Sequence, residues 1–232
     1  MTFRYFLFFA MLFCPDVHAR SEYRNCCGLI SEIRGNVRSY VSVGFIVEHE
    51  GNCFLVMYKE AAKLLNNNCR IAITSFDGID EFVLHEFVES MEFFSKESFP
   101  VAILQVSDKV LDDCKLIAAK LSIDPIIEFP KSLTACSILL SERTKGELPD
   151  VFVPVNIIAR VSDSRMAYLG DEFYVATNIT LPSISPVLEF TSEGSILRGM
   201  LADSLISNGV NQRTTVVLSN QMLRKGIEKT RK

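Results

Sequence analysis

The chain is predicted to be all-β, built as two antiparallel six-stranded β-barrels followed by a C-terminal helix. Three observations predict it. About a dozen short runs rich in β-branched and aromatic residues follow one another, roughly six in each half, with turn residues between them. A stretch with apolar residues at helical spacing, 109–121, separates the two groups. Ser219-Asn220 stands where a cap would open a final helix over 221–228.

In chain order, residues 37–48 are long, β-branched and aromatic, and 53–57 return after a turn at Gly51-Asn52, so the two read as a hairpin. Residues 59–65 are strong helix formers, ended by Asn66-Asn67-Asn68. Strands are expected at 70–76, 81–87 and 101–106. Residues 109–121 read as a helix or linker, through Val110, Leu111, Cys114, Ile117, Ala118 and Leu121. The second half repeats the strand pattern at 133–140, 151–161, 172–176, 187–190, 196–202 and 214–218, with Gly194 marking a turn.

The N-terminus reads as a secretory signal peptide over residues 1–19. Arg4 supplies a positive charge, 5–13 are continuously apolar, and Val17-His18-Ala19 puts small residues where a signal peptidase reads. The apolar run is about half of the roughly 20 residues a spanning helix needs. Phe13 is too bulky for lipoprotein processing at Cys14. No later segment is long and apolar enough to span a bilayer. The expected location is therefore secreted or periplasmic, with an N-terminal barrel over 20–122 and a C-terminal barrel plus helix over 123–232.

The net charge of −4 gives no basic footprint for nucleic acid. The basic C-terminal tail reads as a solvated end. Six cysteines follow the signal: Cys26, Cys27, Cys53, Cys69, Cys114 and Cys136. An exported chain permits disulfides, but six cysteines allow about 15 pairings, so connectivity stays open. There is no C-x-x-C, and His49 and His85 show no ligand-like spacing with the cysteines, so neither metal nor cofactor is expected. Asn178-Ile179-Thr180 is a glycosylation sequon, meaningful only in a eukaryotic source.

Several segments, in order, resemble the trypsin-like serine proteases. Gly44-Phe45-Ile46-Val47 and Phe54-Leu55-Val56 are similar to the first-barrel strands G-F-I-V and F-L-V-T. Pro100-Val101-Ala102-Ile103-Leu104 resembles the D-l-A-v-L strand, and residues 154–162 resemble P-V-x-R-x-G-x-I-S. Leu181-Pro182-Ser183-Ile184-Ser185-Pro186-Val187 looks like the nucleophile turn G-x-S-G-S-P-V with its glycines lost. Gly194 to Met200 resembles the return strand that follows. The resemblance spans roughly residues 36–225 and implies the chymotrypsin-type double barrel.

It also implies a damaged catalytic apparatus. The histidine position falls on Glu60, the aspartate position on Pro100, and the serine is kept at Ser183. A serine hydroxyl needs a base, and the base needs an orienting partner. Glutamate, with an ordinary pKa of about 4.3, is a poor proton acceptor at neutral pH. Proline can orient nothing. The glycine that would lend an N–H to the oxyanion is Leu181, restricted further by Pro182, and the glycine after the serine is Ile184. Ser183 then reads as a turn serine and Glu60 as an exposed charge on a short helix. An acid dyad of the two lacks a second carboxylate. His49 and His85 read as surface histidines. By the same resemblance, a Cys53–Cys69 disulfide would bracket the Glu60 helix.

The leading expectation is an exported pseudoprotease that binds a protein or peptide in the groove between the barrels. Two alternatives stay open: a serine endopeptidase with a displaced or unconventional base acting on Ser183, and an unrelated exported β-protein with a structural role.

Overall fold

The computed structural model describes residues 27–34, 37–63, 65, 70–75, 78–83, 88–90, 101–107, 111, 118–138, 150–161, 173–176, 184–207 and 213–231. The first of its hairpins joins β2 (Val37–His49) to β3 (Asn52–Tyr58). Its two-residue turn is Glu50-Gly51, with φ of 51° and 72°. Positive φ at both centres gives the turn a twist that matches the strands, and only the second residue is a glycine. His49 pairs with Asn52 and Gly44 with Met57.

Before this hairpin runs β1 (Cys27–Arg34), which pairs with β2 on one side and with β4 (Arg70–Ser75) on the other. β4 pairs with β5 (Gly78–Val83), while β3 pairs with β7 (Val101–Val106) and β7 with β6 (Val88–Ser90). Seven strands of the first half thus form one antiparallel path ending at β5 and β6. Helix α1 (Lys59–Ala62) follows directly on β3.

The second half contains β9 (Lys131–Ile138), β10 (Asp150–Val161), β11 (Phe173–Ala176), β12 (Pro186–Thr191), β13 (Gly194–Ser207) and β14 (Arg213–Ser219). β9 pairs with β10, β10 with β11, β11 with β14, β14 with β13, β13 with β12, and β12 again with β9. These six antiparallel strands close on themselves, which leaves no free edge in the circuit.

The halves are joined by β8 (Ala119–Leu121), a strand where the apolar spacing predicts part of a helix. It runs parallel to β2 through Val47↔Ala119 and to β13 through Leu197↔Leu121. Of the remaining expected 109–121 helix, 109–110 and 112–117 lie outside the described residues.

Burial follows the two-residue period of strands. In β3, Leu55 and Met57 point into a first-half core with Ile46, Ala102 and Leu104. Phe54 and Val56 point the other way, into a cluster shared by both halves, with Val101, Ile103, Leu188, Leu197 and Met200. The second half has its own core of Leu133, Ala135, Val155, Ile157 and Val187. β3 and β7 are therefore buried on both faces, and this makes their sequences continuous apolar runs.

Helix α2 (Asn220–Thr230) covers the shared cluster with Leu223 and Ile227, one turn apart on one face. Burying each stabilises by about 1.5–3 kcal/mol. Ser219 precedes the helix in extended conformation but makes no side-chain cap bond. Asn220 instead donates to the carbonyls of Ser122 and Leu197, pinning the helix start to the linker and to β13. No helix among the described residues is long and apolar enough to cross a membrane.

Candidate functional site

The first-half side of the site begins where β3 ends. Tyr58 pairs with Val101 of β7, and its N–H donates to Ser42 Oγ at 3.3 Å. The chain then turns into α1, with Ala61 and Ala62 buried in the first-half core. Glu60 is the second residue of that helix. Pro100 lies outside the described residues; Val101, which follows it, opens β7. The position expected to hold the base is thus carried on a helix seated by two buried alanines.

His49 closes β2, opposite Asn52 at the other end of β3. Seven residues separate the hairpin end from α1, about 20 Å at 3.3 Å per residue. The His49 side chain is 12% exposed, and Nε2 has no hydrogen-bond partner; the nearest carboxylate oxygen, Glu50 Oε1, is 3.9 Å away. Glu50 also bonds Arg231. That hydrogen bond, with the charges of His49 and Arg231, holds the Glu50 carboxyl below its ordinary range. His49 is therefore not brought to the α1 end of the strand. His85 lies outside the described residues.

The second-half side is the turn around the serine. Leu181, Pro182 and Ser183 lie outside the described residues; Ile184, immediately after, does not. Its φ is 71°, in the left-handed region that glycine enters freely and β-branched residues avoid. Two backbone hydrogen bonds hold it there. Ile184 N–H donates to Leu201 O at 2.8 Å, and Leu201 N–H donates to Ser185 O at 2.9 Å. The side chain, 2% exposed, is buried in the cluster between the halves.

Left-handed geometry at a non-glycine residue costs about 1–3 kcal/mol, which burial of a large apolar side chain offsets by a comparable amount. The resemblance has a glycine at this position, and the sequence has a β-branched residue. Ile184 nonetheless takes the left-handed backbone that glycine enters freely. Leu201 was not among the expected site residues. It acts through backbone atoms, so its residue type carried no signal.

Just past Leu201, β13 loses register with β14. Leu201 pairs with Val217 and Leu205 with Thr215, so residues 202–204 lie opposite one residue of β14. Such bulges re-aim a strand locally. This one adjoins the serine turn through Leu201.

The conspicuous ion-pair network lies away from this turn. Glu189 takes Lys131 Nζ at 2.6 Å and Arg198 Nε at 2.6 Å, and Arg198 Nη1 donates to Ser122 Oγ at 2.8 Å. Burial raises the Glu189 carboxyl; the hydrogen bonds from Lys131 and Arg198 outweigh it and leave the group below the ordinary glutamate range. Among the described residues no three His, Cys, Asp or Glu side chains gather as metal ligands would. Cys53 sits in β3 opposite Glu48 and Val106; Cys69, its expected partner, lies outside the described residues.

No protein-family model matches the sequence, and no curated protein matches it. Solved structures do match in shape. One is an HtrA-type protease, AlgW, with a tripeptide, at 14% identity and a TM-score of 0.58, over 91% of this chain and 62% of that one. The chain thus spans about three fifths of that protein's length. Another is an inactivated protease paralogue of the scabies mite, at 13% identity and a TM-score of 0.55, over 90% of this chain and 96% of that one. At such identity the likeness establishes architecture: the chain has the chymotrypsin-type fold of the trypsin-like serine proteases.

Proposed function

We propose that this chain is an exported pseudoprotease that binds an extended peptide or protein segment and does not cleave it. The observation that carries the reading is the position of Glu60 on α1, directly after β3, where the resemblance puts the catalytic histidine. A carboxylate with an ordinary pKa near 4.3 lies about two to three units below the near-neutral value that suits a general base at neutral pH, so it is a poor acceptor of a serine proton. Pro100 at the aspartate position removes the orienting partner as well. Recognition without hydrolysis asks only for exposed backbone and neighbouring pockets, which strand addition supplies. The bulge at 202–204, next to the serine turn, is the candidate contact. Export rests on the N-terminal signal pattern.

Peptide-library selection on the purified chain tests both parts. Recovered peptides should bind saturably, remain uncut after prolonged incubation, and lose affinity when Ala202, Asp203 or Ser204 is replaced by proline. Cut peptides would refute the non-catalytic part; binding indifferent to all three prolines would refute the location.

A second reading, a serine endopeptidase with an unconventional base, draws on the left-handed backbone at Ile184. Its φ of 71° keeps glycine-like geometry beside Ser183. That reading requires Ser183 to be reactive, which a fluorophosphonate probe reports directly.

A further inference from the structure

No further inference is drawn: the strongest candidate, the exposed apolar side chains of the linker and of β10 and β12 (Ile123, Ile127, Phe129, Ile158 and Phe190), is a surface for which nothing in the structure shows what covers it.

Discussion

The two halves of this molecule hold their candidate site positions in different ways. In the first half, β3 and β7 pair in register and α1 follows β3; the proposed reading puts Glu60 and Pro100 where a base and its orienter would stand. In the second half, Ile184, where the resemblance has a glycine, is held at a φ of 71° by two hydrogen bonds to Leu201. The difference teaches what each position is for. The Ile184 side chain lies in the cluster shared between the halves, so packing supports its conformation whatever happens to catalysis. The helix that carries residue 60 is seated by its neighbours Ala61 and Ala62.

The largest effect should come from the cluster that binds the halves together. Phe54 is fully buried there, and Phe54→Ala should cost about 3–5 kcal/mol in denaturant unfolding. The loss should appear in one transition for the whole chain. Two separated transitions would break the comparison, because the halves would then be independent bodies.

Substitution at Ile184 sharpens it further. Ile184→Ala leaves the left-handed strain and removes buried atoms, costing about 2–5 kcal/mol. Ile184→Gly removes one more carbon yet relieves the strain, so it should be the milder of the two by about 1 kcal/mol. The ordinary order, with glycine worse than alanine, would show that the turn is unstrained.

The smallest expected effect is electrostatic. The Glu189 carboxyl is held below its ordinary range by Lys131 and Arg198, so the folded state binds its proton less readily than the unfolded state does. Its stabilisation is then complete above the unfolded value near 4.3 and is lost as pH falls through the lower folded value. Glu189→Gln should cost about 1 kcal/mol at pH 7, and the gap from wild type should close as the solution is acidified below about pH 4. A gap unchanged at low pH would place the effect of that substitution in packing.

Much of the fold was legible because burial writes itself into residue type. The strand expected at 101–106 is β7, and 53–57 lies one residue inside each end of β3, since both are continuous apolar runs buried on two faces. β1 was not expected. Gly28, Ser31, Glu32 and Arg34 break its apolar pattern, and it is a strand because β2 and β4 pair with it on either side. β8 was hidden in a helical spacing; its three residues are extended through partners in β2 and β13, each about 70 residues distant in sequence. At the site, the residue types at 60 and 100 were legible in the sequence, while their roles rest on the resemblance. The left-handed backbone at 184 was not, because it rests on hydrogen bonds to a strand that sequence cannot place beside it.

The central claim is that Ser183 has no base to activate it. A fluorophosphonate probe applied to the folded chain, with labelling read by intact mass and peptide mapping, tests this most directly. The account predicts no adduct on Ser183 at neutral pH, with an active serine protease labelled in parallel. A stoichiometric adduct on Ser183, abolished by Ser183→Ala, would contradict it.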